Sequence, residues 1–282
     1  MRNRNYSYSL NQKGQWRKWG VLFSGLVLLV IVMVQQGQAV PNGGYGHPEI
    51  LLQPEELKTL IDKKEPGLRI IDVRQNAKYL TGHIPGAAQV WRPDVEDKKH
   101  SLPGMMAPQD QIEALLGNLG ISSKDTLVIY SDGPDNARLW WILAFYGFPL
   151  DQMKILDGGI DAWKGKGYPT EIFSTRWGKA VFEFPKKSRK VSSLLCSLRE
   201  VKSALESPHN IVLDVRSKKE YLGEEKKEGA IRAGRIPGVT WIEWKEVIVE
   251  EGPYRGYWKS AEEIKKIFSA KGVTPGKDVF LY

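Results

Sequence analysis

Cysteine is almost missing from these 282 residues: Cys196 stands alone. One thiol cannot close an internal disulfide, and it cannot supply a cysteine-rich metal centre. Histidine is nearly as scarce. His47, His83, His100 and His209 are scattered without metal-ligand spacing, so no metal site is expected and they read as surface or turn residues. Acidic residues are absent before Glu49, whereas Arg2, Arg4, Lys13, Arg17 and Lys18 all fall in that stretch. The formal charge of +8 is therefore concentrated at the front, and without residues 1–39 it is +8 less five, or +3. No basic stripe with interleaved aromatics occurs, which argues against a nucleic-acid partner. What is present is 41% hydrophobic and 26% charged with ten Trp, the composition of a globular protein with a sizeable core.

Residues 20–34 form an uncharged, mostly apolar run behind the basic segment. The run is shorter than the ~20 residues of a typical membrane span. Gly37-Gln38-Ala39 then places small residues where a signal peptidase would cut. Residues 1–39 thus read as a signal peptide or an uncleaved membrane anchor. Either outcome keeps the basic residues cytoplasmic and sends the rest of the chain to the periplasm or outside the cell. Contact with a membrane is expected only through residues 20–34, if they are retained. Residues 40–49, with Pro41-Asn42-Gly43-Gly44-Tyr45-Gly46, read as a tether.

An internal repeat organises the remainder. Leu68-Arg69-Ile70-Ile71-Asp72-Val73-Arg74 with Tyr79 matches Ile211-Val212-Leu213-Asp214-Val215-Arg216 with Tyr221. Gly82-His83-Ile84-Pro85-Gly86 matches Gly234-Arg235-Ile236-Pro237-Gly238, and Asp125-Thr126-Leu127-Val128-Ile129-Tyr130 matches Lys277-Asp278-Val279-Phe280-Leu281-Tyr282. Between the first two motifs the second copy carries ten extra residues.

Each copy alternates strand and helix. Pro54 followed by Glu55 and Glu56 opens a helix, with acids at the positive end of its dipole. Leu68–Val73 and Thr126–Tyr130 are short apolar runs suited to strands buried on both faces. From Pro108, Ile112, Leu115, Leu116 and Leu119 share a helical face that closes at Gly120. The twin of that helix starts at Ser260 with Glu263 as a capping box and is expected to bury Ile264, Ile267 and Phe268. Strands separated by helices predict parallel pairing, hence an α/β fold with an open parallel sheet flanked by helices in each of two tandem domains, 50–168 and 191–282. Residues 169–190 read as a linker, basic and solvated at Pro185-Lys186-Lys187-Ser188-Arg189-Lys190. Cys196, flanked by Leu194 and Leu195, reads as a small buried hydrophobe.

The motifs Asp-Val-Arg, the following Tyr, Gly-His/Arg-Ile-Pro-Gly and a strand ending in Tyr, twice in order, resemble the rhodanese family of sulfurtransferases. Leu156-Asp157-Gly158-Gly159 with Ala162-Trp163 adds to the resemblance, which runs from about Ile50 to Tyr282. In particular the chain is similar to two-domain thiosulfate/3-mercaptopyruvate sulfurtransferases. The resemblance implies a small sulfur donor, a thiophilic acceptor, a covalent persulfide on a Cys in a loop after the last strand of the second domain, and no metal or other cofactor. Backbone N–H groups around such a loop stabilise the anion that attacks the donor.

Carried onto this chain, the resemblance makes the first domain the inactive copy. Ser131 and Asp132 stand where a nucleophile would be, and neither can hold a persulfide. Asp72 and Arg74 are its counterparts of Asp214 and Arg216, which with Tyr282 are the candidates that support the active loop, chiefly as a buried ion pair bracing it. Glu220 replaces an Arg found in several thiosulfate-specific members, and Arg235 replaces the usual His. None of the 282 residues is itself a candidate nucleophile. The resemblance places it immediately after Tyr282, so the second domain is expected to be incomplete at its C-terminus and this fragment inactive. Three readings stay open: a selenocysteine encoded by UGA at the next codon, a frameshift or premature stop, or a non-catalytic anion- or partner-binding protein.

Overall fold

The computed structural model describes residues 44–133, 135–185 and 194–282. The expected leader at 1–39, the start of the tether and the basic stretch from Lys186 lie outside these residues. Among the described residues no helix is long and apolar enough to cross a membrane.

Alternating burial builds the first sheet. Leu68–Asp72 forms β2 and Thr126–Tyr130 forms β4, paired in parallel from Leu68 opposite Thr126 to Asp72 opposite Tyr130. Because successive strand side chains point to opposite faces, Ile71, Leu127 and Ile129 enter one apolar cluster while Ile70, Val128 and Tyr130 enter another. Leu51–Leu52 (β1), Ala87–Gln89 (β3) and Met153–Leu156 (β5) complete a five-stranded parallel sheet of order β1-β5-β4-β2-β3.

Helices cover both faces. On one side lie Gln109–Asn118 (α3), which buries Ile112 and Leu116, and Asp135–Phe145 (α4), which buries Leu139, Ile142 and Leu143. Pro54–Asp62 (α1) and Gly159–Gly165 (α5) cover the other, with Leu57 and Trp163 fully buried. The short Asn76–Leu80 (α2) follows β2. This is a three-layer α/β/α arrangement with one buried sheet.

The second domain repeats the plan on a smaller scale. Leu198–Leu205 (α6) precedes Asn210–Asp214 (β6), and Lys218–Leu222 (α7) precedes Thr240–Trp241 (β7). Ala261–Ala270 (α8) leads to Asp278–Leu281 (β8), and the parallel sheet has the order β7-β6-β8. Ser260 caps α8 as anticipated: its hydroxyl accepts the Glu263 N–H, and the Glu263 carboxylate accepts the Ser260 N–H at 3.0 Å. The register is that of the first domain, since Tyr282 N–H donates to Leu213 O and Val215 N–H to Tyr282 O, both at 3.1 Å.

The two cores differ in depth. Leu127 and Ile129 are fully buried, whereas their twins Val279 and Leu281 are 37% and 59% exposed. Ile264, Ile267 and Phe268, expected in the core, are only half-buried. In the first domain α3 and α4 share the corresponding face; in the second, α8 packs Ile267 and Phe268 against Leu213 and Ile242, and among the described residues no second helix joins it there.

Three expectations change. Within the stretch read as a linker, residues 169–185 pack on the first domain, while the part read as solvated lies outside the described residues from Lys186 on. Phe182 and Phe184 are buried against Tyr146 and Phe148, and Ala180 N–H donates to Gly117 O at 3.0 Å. An extended segment anchored by alternate aromatics shows no helical period, so it was invisible to periodicity. Cys196 is half-buried, follows the exposed Leu194 and Leu195, and is not a core residue. His83 is no surface histidine: it is fully buried and stacks on Tyr79 with ring centroids 3.8 Å apart. The other three histidines are exposed.

Candidate functional site

At the carboxyl end of the first sheet, Asp72 and Arg74 form a closed knot. The Arg74 guanidinium donates to Asp72 Oδ1 and Oδ2 through Nε at 3.0 Å each, to Oδ2 through Nη2 at 2.6 Å, and to Gly82 O at 2.8 Å. Tyr130, from the neighbouring strand, donates to Asp72 Oδ2 at 2.7 Å and accepts the Ile84 N–H at 3.0 Å. A buried ion pair holds when hydrogen bonds satisfy its remaining lone pairs and protons, and here they do. Burial lowers the basicity of Arg74, but the Asp72 carboxylate more than reverses this and holds its pKa above the ordinary value. Burial drives the Tyr130 phenol well up, reinforced by the Asp72 charge, so Tyr130 is a donor and not a base.

The second domain repeats the knot more openly. Arg216 donates to Asp214 Oδ1 at 3.0 Å and Oδ2 at 2.7 Å and to Gly234 O at 2.9 Å, while Ile236 N–H donates to the Tyr282 hydroxyl at 3.2 Å. The Arg216 guanidinium lies 5.1 Å from the Tyr282 ring centroid. Its side chain is 30% exposed, against 4% for Arg74. Burial pushes the Asp214 carboxyl up, but the hydrogen bonds from Arg216 and Tyr282 together outweigh it and hold it below the usual carboxylate range.

The loop after β4 is the first domain's counterpart of an active loop. Ser131 is buried, its carbonyl accepts the Ile160 N–H at 3.0 Å, and Asp132 pairs with Lys78 at 2.5 Å. Nothing in this loop combines an ionisable sulfur with access. Glu220 is buried as the third residue of α7, where its carboxylate accepts the Ser217 hydroxyl at 2.7 Å, so it serves the helix and not a ligand. Arg235 is exposed and lies over Tyr221, 4.3 Å from the ring centroid, the position His83 takes on Tyr79.

Beside the Ser131 loop lies a cleft of about 590 Å³. Ser131, Asp132 and Asn136 line one wall; Val215, Ile242, Val247, Phe268 and Leu281 line the other. Those five are the register twins of Val73, Val90, Val95, Leu116 and Ile129, which lie buried in the cluster that includes α4. Repeat alignment alone could have located this wall. It could not have shown that the Asp157 carboxylate reaches the Trp258 N–H of the second domain at 3.0 Å, a contact between two motifs that never align. Among the described residues no cluster of His, Cys, Asp and Glu could hold a metal ion.

A family model for the Rhodanese-like domain matches residues 53–166. The sulfur carrier protein TtuD of Thermus thermophilus is 30% identical over 258 residues, spanning 85% of this chain and 84% of its own length. The thiosulfate sulfurtransferase of Bos taurus is 29% identical over 226 residues, spanning 75% of this chain and 72% of its own. In fold, the chain matches the crystal structure of SseA from Escherichia coli with a TM-score of 0.70 at 24% identity, over 82% of this chain and 87% of that one.

Proposed function

Because this chain belongs to the rhodanese family of sulfurtransferases, we propose that it moves sulfane sulfur from thiosulfate or 3-mercaptopyruvate to a thiophilic acceptor, with the sulfur held on the residue that follows Tyr282. We place this activity outside the cytoplasm, on the strength of the basic and apolar leader. The observation that carries the reading is the shared register of the two knots. Tyr130 and Tyr282 both bond the Gly-x-Ile-Pro turn of their own domain, and the residue after Tyr130 opens the loop at the cleft. Ser131 cannot carry sulfur, so the equivalent position in the second domain is the one left for the chemistry.

The step is a displacement at sulfur. An ionised thiolate or selenolate attacks the outer sulfur of thiosulfate, the S–S bond breaks, and sulfite leaves with the bonding pair. The acceptor then attacks the outer sulfur of the resulting persulfide or its selenium analogue and regenerates the anion. Asp214 and Arg216 hold the turn and the strand end; their side chains bond to each other, to the Arg216 N–H, to Gly234 and to Tyr282, which suits bracing over substrate contact.

The codon after 282 in the natural gene tests the assignment. A Cys codon, or UGA followed by a frame that encodes a glycine-containing loop and a helix, supports it. Any other residue in that frame overturns it. A second reading, a binding module without turnover, is favoured by the apolar cleft, and transfer from thiosulfate to cyanide by the whole gene product separates the two.

A further inference from the structure

We propose that the Leu156-Asp157-Gly158-Gly159 turn of the first domain is a socket for the 248–258 hairpin of the second, with Asp157 as the positioning residue that sets one wall of the cleft. The hairpin is a built element. Ile248 bridges Trp258, Val249 N–H donates to Tyr257 O and Gly256 N–H to Val249 O, both at 2.8 Å. The first domain has the same hairpin, with Glu96 bridging Met106. The fold therefore makes the hairpin locally, and the socket acts on where it sits.

Three contacts define the socket. Asp157 is fully buried; its Oδ1 accepts the Trp258 N–H at 3.0 Å and its Oδ2 accepts Gln53 Nε2–H at 3.1 Å. Among the described residues it has no cation within 4 Å. A buried carboxylate without a counter-charge costs free energy, which its hydrogen bonds from Trp258, Gln53 and Gly158 offset. Gly158 has φ +69°, and a Cβ there would lie 2.6 Å from Tyr257 Cε2. Gly256 comes close enough that its own Cβ would sit 3.5 Å from Gly158 O.

The same turn fixes the opposite wall. Gly159 has φ +55°, a Cβ on it would be 2.0 Å from Ser131 O, and Ile160 N–H donates to that carbonyl. One short turn thus holds both the Ser131 loop and the hairpin whose Ile248, Val249, Glu250 and Arg255 face the cleft. Cleft width is set where the two meet.

Burial pushes the Asp157 carboxyl up, and the hydrogen bonds from Trp258, Gln53 and Gly158 only partly offset it. Tyr45 and Tyr257 also face it and are pushed up to about 12, so both are neutral phenols through the neutral range. Glu55, next to Tyr257 and paired with Lys166, and Glu263, near Tyr45 and capping α8, both lie below the ordinary carboxylate range. Asp157 is therefore the carboxyl of this seam that titrates above that range. The Trp258 N–H bond itself favours the ionised carboxylate and works against the rise that burial imposes.

The socket rests on contacts alone and stands independently of the catalytic reading. Amide hydrogen exchange on the whole chain tests it. Asp157→Ala is expected to speed exchange at Trp258, Val249 and Gly256 by tenfold or more while β2 and β4 keep their protection. Asp157→Asn retains one acceptor but presents an N–H₂ to a second donor; it is expected to give a smaller acceleration at the same amides and serves if the alanine variant does not fold. Unchanged hairpin exchange in both variants, or equal acceleration in the hairpin and the first sheet, would overturn the proposal.

Discussion

The Tyr130 hydroxyl donates to Asp72 Oδ2 at 2.7 Å and accepts the Ile84 N–H at 3.0 Å, tying the end of β4 to the end of β2 and to the turn beyond it. Tyr130→Phe removes both bonds and leaves a buried N–H unpaired, at a cost of about 1–3 kcal/mol. Urea unfolding measures this. A loss below about 0.5 kcal/mol, the range of an ordinary surface substitution, would show that the hydroxyl is idle.

Asp72→Ala leaves the Arg74 guanidinium charged, buried and unpaired, and should cost about 3–5 kcal/mol. Asp214→Ala should cost clearly less, because Arg216 is 30% exposed and water can take over part of the lost bonding. Denaturant titrations of the two variants under identical conditions give the order. The reverse order would contradict the difference in burial between the knots.

The pH dependence of the second knot has a defined sign. The folded pKa of Asp214 lies below its ordinary value, so its contribution is fully present above the unfolded value of about 3.9 and is lost as pH falls through the depressed one. The stability difference between wild type and Asp214→Asn should therefore be constant above about pH 5 and shrink below it. Thermal melts across an acid series check this, and a difference that widens on acidification has the wrong sign.

Phe184 packs on Tyr146 with ring centroids 5.2 Å apart, although it lies beyond the last helix of the first domain. Phe184→Ala should destabilise that domain by about 3–5 kcal/mol. A chain ending at 168 should show a comparable loss, read by far-UV circular dichroism on heating. Near-wild-type melting of both would mean that 169–185 is dispensable to the core.

How much of this was legible in the sequence varies with the range of the interaction. Strands β2, β4, β6 and β8, the parallel pairing and the Ser260 cap follow from local apolar runs and a capping box, and the repeat supplies the register of Tyr130 with Tyr282. Asp72 with Arg74 and Asp214 with Arg216 are two residues apart on a strand end, so their pairing was readable too. His83 was misplaced because its burial comes from stacking on Tyr79 and from segment 171–173, whose Phe173 O lies 3.2 Å from Nε2. Phe182 and Phe184 fell within the stretch read as a linker because an extended segment on a helix and sheet face carries no period to detect. The Asp157 to Trp258 bond joins different points of the two copies, and no comparison of the copies with each other can expose it.

Sulfur labelling tests the central claim most directly. The whole gene product is incubated with thiosulfate labelled in its outer sulfur, quenched, digested and mapped. The account predicts label on the peptide that contains and follows Phe280-Leu281-Tyr282, none on the Ser131–Arg138 peptide, and an unchanged result in Cys196→Ser. Label on Cys196 or in the Ser131 loop, or no label on the peptide after Tyr282, would contradict it.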